Sequence, residues 1–242
     1  MIIIDRLLAS LNTDAPVREV RVGAFWTAVA LDTVPPRCGL ASTVRSEVHE
    51  GSPVFDAGRL LEKSALELAA LLRSTSPVEA SIGMAAVNAL LEVDEEACVE
   101  INAEEVVIEK GAGKKVAIVG RFPFIPRVQR VADTLWILEQ RPRGDDLPAA
   151  AAPEIIPKAD VVAITGTALI NHTFEELAAL CRPAAYVLVL GGSAPLSPLL
   201  FDYGVDAIAG TRVVDVSTVL RAVSQGATFR QIPGKRLLTM RR

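Results

Sequence analysis

The chain has 242 residues, 50% of them hydrophobic and only 5% aromatic, which is enough apolar material for one large core or two small ones built from Leu, Val, Ala and Ile. A formal net charge of -4 and the scarcity of aromatic rings exclude a basic, ring-studded platform for nucleic acid. Cys38, Cys98 and Cys181 stand far apart and form no CxxC pair. Neither a disulfide framework nor a local thiolate metal site is encoded, and a reducing cytoplasm is the expected compartment.

In chain order, MIIIDRLLASLNTD carries an acid at Asp5 and no basic leader, so it reads as an amphipathic helix and not as a signal; no apolar run is long enough to span a bilayer. Residues 17–31 and 37–44 read as short strands of a meander joined through the Pro35-Pro36 turn. A helix is expected over about 60–73, with Leu61, Ala65, Leu68 and Leu72 on one stripe, and a second from Pro77 to about Leu91. In that second helix Ala80, Gly83, Ala85, Ala86 and Ala89 leave little bulk, so its backbone can approach another element or a ligand. Asn88, its one amide, needs a partner there.

From about Lys114 the pattern changes. KKVAIVG, TLWILE, DVVAIT, AYVLVLG and VDAIAG are five short apolar runs separated by helix-sized segments, the signature of a parallel sheet covered on both faces. Residues 141–157 read as a Pro-rich surface crossover, and the boundary between the two halves falls in 92–113, where Gly111-Ala112-Gly113 offers a hinge. The division is therefore 1–100 and 101–242. Thr173 and Glu176 have capping-box spacing, Ser197-Pro198 is a second helix start with Gly204 as its stop, and Asp215 can cap a last helix ending at Gly226.

In an open parallel sheet, ligands gather beyond the carboxyl ends of the strands. The residues expected there are Gly120, Arg121 and Phe122; Glu139; Thr165, Gly166, Thr167 and Asn171; Gly191, Gly192 and Ser193; and Gly210 with Thr211. VGRFPF occupies the place of a dinucleotide enzyme's glycine-rich turn, but Phe122, Pro123 and Phe124 deny it a pyrophosphate cradle. Glu139 lies about twenty residues beyond Gly120, the separation of an acid that binds ribose hydroxyls; otherwise it pairs with Arg121 or a surface arginine. The threonines and Asn171 can donate to an anion or merely satisfy local backbone. Ser193 lacks the GxSxG elbow of a nucleophile, and neither His49 nor His172 has a spacing that makes it a partner. Weak metal candidates are Cys38, His172 and Asp202, should the fold gather them.

VGRFPF, LEQRPRGDDLP, ITGTALINHTFEEL and GGSAPLSPLLFDYGVDAIAG together resemble the C-terminal, Rossmann-like domain of the putative heavy-metal chelation domain family. VGAFWTAVAL and SIGMAAVNAL are similar to its companion domain. The resemblance implies an α/β protein in which a smaller α+β enolase N-terminal-like domain precedes a Rossmann-like parallel sheet with helices on both faces. It also implies a site in the interdomain cleft and a role in metal handling, with a transition metal or metal chelate as the cofactor candidate. The strand-end residues themselves offer hydroxyls, amides and backbone N–H groups, a donor set suited to a small anionic molecule or a metal–ligand complex more than to a bare soft metal ion.

The leading expectation is a protein that binds such a ligand, with Arg121 neutralising its charge and Asn88 and Cys38 closing the cleft. A nucleotide- or cofactor-dependent Rossmann-type enzyme and a non-catalytic regulatory module are the alternatives. No reaction is assigned; no nucleic-acid partner and no membrane span are expected, and a homodimer is.

Overall fold

Helix α1 (Ile2–Ala9) turns Ile3, Ile4 and Leu7 inward, the three-and-four spacing of an amphipathic helix. Strands β1 (Val17–Val22), β2 (Trp26–Leu31) and β3 (Arg37–Ser42) pair antiparallel in that order, so the expected meander forms. β2 and β3 are buried almost throughout, whereas the edge strand β1 is half exposed. The computed structural model describes residues 2–45 and 54–242; His49 lies outside the described residues.

The helix expected over 60–73 forms instead as three pieces: a 3-10 turn at Leu60–Glu62, helix α2 (Ala65–Ala70) and a second 3-10 turn at Leu71–Arg73. Ser64 is the cause. Its hydroxyl accepts from the Glu67 N–H while the Glu67 carboxylate accepts the Ser64 N–H, a capping box that starts a fresh helix. Helix α3 (Pro77–Leu90) begins at the expected proline. A Cβ on Gly83 would stand 2.1 Å from the Leu72 nitrogen, and one on Gly39 of β3 would stand 2.1 Å from the Ala85 carbonyl. The small residues of α3 thus serve backbone-to-backbone packing on two sides.

The segment read as a boundary carries two elements of its own, β4 (Cys98–Val99) and α4 (Ala103–Gly111), the latter capped by Asn102, whose side chain accepts from the Glu104 N–H. The expected hinge is a tied turn: the Gly113 N–H donates to the Val131 carbonyl at 2.8 Å. There follow β5 (Lys115–Val119), α5 (Ile125–Gln129), β6 (Thr134–Glu139), β7 (Leu147–Pro148) and α6 (Ala152–Ile155). The chain continues through β8 (Val161–Thr165), α7 (Thr167–Ile170), α8 (Phe174–Ala179), β9 (Tyr186–Leu190), β10 (Ala207–Val213), α9 (Val216–Ser224) and β11 (Lys235–Arg241). Asp215 caps α9 as expected, accepting from the Thr218 N–H at 3.0 Å. Thr173 does not form its capping box, because its backbone is helical and its hydroxyl turns back to the Ala168 carbonyl.

These strands form one eight-stranded sheet in the order β4-β11-β10-β9-β8-β5-β6-β7. β5 to β10 run parallel, and β11 and β4 extend one edge antiparallel. The chain moves outward from β5 to β6 and β7, then crosses back to β8 and continues to β9 and β10. Strand order therefore reverses between β5 and β8, the place where a doubly wound sheet leaves a crevice beyond its strand ends. The antiparallel β11 has no counterpart in the sequence reading, which stops at Gly226. Its sequence, KRLLTMR, lacks the polar–apolar alternation of a half-buried strand, yet Leu238, Thr239 and Met240 are buried.

One buried cluster runs from Ile4 and Leu7 of α1 through Met84 and Val87 of α3 to Val162 and Ile164 of β8, so the small and large sheets share a core. A second covers the opposite face of the large sheet with Val106, Val107, Val116, Ile118 and Leu188. A third packs Ala28, Ala30 and Leu40 of the meander against Val219 and Val223 of α9. Among the described residues no helix is long and apolar enough to cross a membrane.

Candidate functional site

Each strand beside the order reversal ends in a different kind of turn. After β5 the chain turns at Gly120, with φ 102, a left-handed value that favours glycine. A Cβ there would also crowd the Thr165 side chain at 3.1 Å. Phe122 and Phe124 follow, stacked with ring centroids 5.2 Å apart. Where many doubly wound proteins present backbone N–H groups, this one presents an aromatic face.

After β8 the Thr165 and Thr167 hydroxyls lie 2.9 Å apart, and the Thr167 N–H donates to Thr165 Oγ1 at 3.3 Å. After β9 the chain turns at Gly191, with φ 110, and Gly192 lies so close under two rings that a Cβ would meet Trp26 at 2.6 Å and Phe229 at 2.7 Å. Those rings lie 4.8 Å apart and are tilted by 36°. Ser193, buried to 2% exposure, turns toward the small sheet: its Oγ accepts from the Ser42 N–H at 2.8 Å and donates to Ser42 Oγ at 3.2 Å.

These turns surround a cavity of about 920 Å³, within the size range of small-molecule sites. Of the residues expected at the site, Arg121, Phe122, Glu139, Thr165, Thr167, Asn171, Gly191, Gly192 and Ser193 all line it. Gly166 stands behind the wall, packed on the Ser193-Ala194 backbone. Asn88 does not line it: its Nδ2 donates to the Leu40 carbonyl at 2.8 Å, and the amide locks α3 to β3. Nor does Cys38, whose thiol is buried between β2 and the neighbouring core and is pushed up to about 12 by that burial.

Arg121 is paired with Asp146, a buried acid whose side chain is 2% exposed. The Glu139 side chain makes no hydrogen bond or ion pair with the described residues. The alternative of a Glu139–Arg121 pair is thus set aside by geometry, since Asp146 has taken the arginine. The weak metal candidates do not converge. His172 Nε2 lies 2.7 Å from the Leu72 carbonyl, Asp202 pairs with Arg6 at 2.6 Å, and Cys38 is in a separate core. Among the described residues no group of three His, Cys, Asp or Glu side chains is placed to hold a metal ion.

Among the lining residues that the sequence reading does not place at the site are Trp26, Ser42, Phe229 and Lys235. Trp26, one of two tryptophans in an aromatic-poor chain, carried a signal, since such a ring is often a ligand wall. Ser42 and Lys235 carried none, because the first is brought in by the meander and the second by β11. The Lys235 ammonium lies 4.6 Å from the Phe229 ring centre and donates to the Ile232 carbonyl. Partial burial lowers its pKa from the ordinary lysine value.

A family model described as "Putative heavy-metal chelation" matches residues 102–241, and a second with the same description matches residues 4–91. An uncharacterised protein of Methanocaldococcus jannaschii is 29% identical over 225 residues, covering 88% of this chain and 85% of its own. The crystal structure of a DUF364-family protein of unknown function from Desulfitobacterium hafniense superposes with a TM-score of 0.87 at 26% identity, covering 100% of this chain and 98% of that one. A DUF364-family protein of unknown function from Pyrococcus horikoshii shares the fold, with a TM-score of 0.83 at 19% identity and 99% and 98% coverage. With a mostly parallel sheet joined to a small antiparallel one and family models spanning both, the chain belongs to the DUF364 family, described as "Putative heavy-metal chelation".

Proposed function

We propose that the protein binds a small anionic organic molecule, or a metal held in such a molecule, in a cleft between a domain of residues 1–100 and one of residues 101–242. The observation that carries this reading is the cavity of about 920 Å³ at the strand-order reversal, with Trp26 and Ser42 of the small sheet completing its wall. Two flat aromatic pairs suit an organic body. Arg121, Lys235 and the Thr165–Thr167 hydroxyls supply donors for its charge. The family description directs attention to metals, and the side chains here suit a chelate: hydroxyls, a guanidinium and an ammonium contact a chelator's oxygens and do not replace them as ligands.

Thermal-shift screening of the full chain against metal salts, metal chelates and nucleotides tests this. A ligand at 100 times its dissociation constant stabilises the native state by about 2.7 kcal/mol, and quenching or enhancement of Trp26 fluorescence reports occupancy of this cavity. Hits among chelates or organic anions are expected. A shift with bare metal ions alone would overturn the reading.

One observation favours a second reading, a nucleotide-dependent enzyme: Glu139 ends β6 beside the reversal, faces the cavity and has no protein partner among the described residues. Glu139→Ala should abolish nucleoside binding under that reading. Binding of a simple anion should instead hold or tighten, since a like charge is removed from the site.

A further inference from the structure

The strand that extends the large sheet antiparallel carries a lysine into the cavity. Lys235 opens β11 and, among the described residues, is the one lysine on the cavity wall. Antiparallel pairing sets Lys235 opposite Val213 and Leu237 opposite Thr211. Residues directly opposite share a sheet face, as do residues two apart on one strand. Thr211, Lys235 and Leu237 therefore stand on one side of the sheet, and all three line the cavity. Thr211 is the diagonal neighbour of Lys235, about 7–8 Å away across the strands and within reach of a long side chain.

Two contacts hold the end of that lysine. Its Nζ donates to the Ile232 carbonyl and lies 4.6 Å from the Phe229 ring centre. The turn that presents both is itself fixed: Thr228 and Gln231 form a capping box around Phe229–Gln231, and Ile232 is buried. A carbonyl accepts an N–H from a neutral amine as well as from an ammonium, so Lys235 keeps this anchor after losing a proton and has its lone pair free for the cavity. Partial burial favours that neutral form and lowers the lysine's pKa from its ordinary value. Beside it, Thr211 Oγ1 is buried with no hydrogen-bond partner among the described residues. A buried hydroxyl left unpaired at a cavity wall is a group waiting for a ligand atom.

We propose that Lys235 captures the carbonyl carbon of an aldehyde or ketone in the cavity as an imine, with the Thr211 hydroxyl as hydrogen-bond partner of the reacting oxygen. The inference rests on the cavity reading above for the ligand's anionic body, and narrows it to small carbonyl-bearing acids. The Nζ lone pair forms the new C–N bond while the π pair of the C=O bond moves to oxygen. Thr211 donates to that oxygen as charge develops on it. The C–O bond of the carbinolamine then breaks, and the two protons of the amine leave with the oxygen as water. Amine and carbonyl thus give imine and water, with no oxidant or reductant.

Trapping tests the assignment without the natural ligand: the full chain is incubated with glyoxylate or pyruvate and cyanoborohydride, which reduces an imine to a stable secondary amine, and the labelled lysines are mapped by mass spectrometry. Lys235 is expected to be labelled at least about tenfold faster than the exposed Lys158, because binding holds the carbonyl against the amine. Glycolate and lactate, which carry the same charge and no carbonyl, should compete. Lys235→Arg keeps a cation that cannot form an imine, and should abolish the fast labelling. Thr211→Val should slow it about tenfold, the size of one lost hydrogen bond, and Thr211→Ser should restore it. Melting curves establish that the variants are folded. Equal labelling of Lys235 and Lys158 would overturn the proposal. So would a chain that binds pyruvate, read at Trp26, with no adduct at Lys235, and the anion reading would then stand alone. Fast labelling of Lys235 by neutral propionaldehyde, with no Trp26 response to any organic anion or chelate, would leave the imine standing and sink the cavity reading.

Discussion

The turns after β8 and β9 are alike in composition, both short and rich in Gly, Ser and Thr, yet the fold spends them differently. After β8 the Thr165 and Thr167 hydroxyls bond chiefly to each other at the cavity wall. After β9 the Ser193 hydroxyl is committed to Ser42 of the small sheet, and Gly192 makes room for Trp26 and Phe229. One turn faces the cavity; the other fastens the two sheets that enclose it. Residue type announces that a turn can make hydrogen bonds, and only tertiary placement decides to whom.

The two turns touch through Gly166, and replacing it should produce the largest effect. Gly166 has an ordinary helical φ of -59, so its cost is steric and not conformational. A Cβ would stand 2.4 Å from the Ala194 nitrogen and 2.7 Å from the Ser193 carbonyl carbon, backbone atoms that cannot swing aside. Gly166→Ala should cost about 3 kcal/mol and lower Tm by roughly 6–12 °C for a chain of this size. Gly192→Ala meets only ring edges, which can shift, and should cost about 1 kcal/mol while narrowing the cavity. Equal losses in the two denaturation curves would break the distinction between a backbone seam and a yielding ring wall.

Ser193→Ala addresses the fastening itself. It leaves the Ser42 N–H without its acceptor at a buried seam, and stranding such a donor costs about 2 kcal/mol, or roughly 4–8 °C in Tm. Ser193→Thr keeps the hydroxyl and would separate hydrogen bonding from the simple loss of an atom. Native-state hydrogen exchange sharpens the test, because the Ser42 amide should lose protection in the alanine variant while amides in the middle of β8 keep theirs. Uniform loss across both sheets would mean that Ser193 contributes to the common core and not to a local seam.

How much of this was legible follows from how local each cause is. The parallel runs, the strand-end positions and the Asp215 cap were readable because their causes lie within a few residues of sequence, as hydrophobic runs and a capping side chain three positions from its target. The break at Ser64 was equally local and was passed over, since the Leu stripe across 60–73 outweighed a capping box inside it. Asn88 is expected at a ligand because a buried amide needs a partner, and the partner it has, the Leu40 carbonyl, lies 48 positions away in another layer. Cys38 sits in the apolar cluster beneath the meander, whose Val219 and Val223 come from α9, far along the chain. Lys235 was invisible for a similar reason: it reaches the cavity only because β11 returns antiparallel beside β10, pairing Lys235 with Val213.

The smallest stability effect is expected where the ligand effect should be greatest. Thr165→Val and Thr167→Val each remove one hydroxyl of a pair at the cavity wall. Neither hydroxyl fastens one sheet to the other, so each change should cost about 1 kcal/mol or less and move Tm by no more than roughly 2–4 °C. If the pair opens to donate to a ligand, both variants should weaken binding about tenfold, read as a shifted Trp26 titration with whichever organic anion or chelate the thermal screen returns. The serine at position 193 should show the inverse pattern, a large loss in Tm with an affinity change no greater than its loosened wall explains. A threonine variant that melts far earlier yet binds unchanged would reverse the roles of the two turns, placing the fastening after β8 and the ligand's donors after β9.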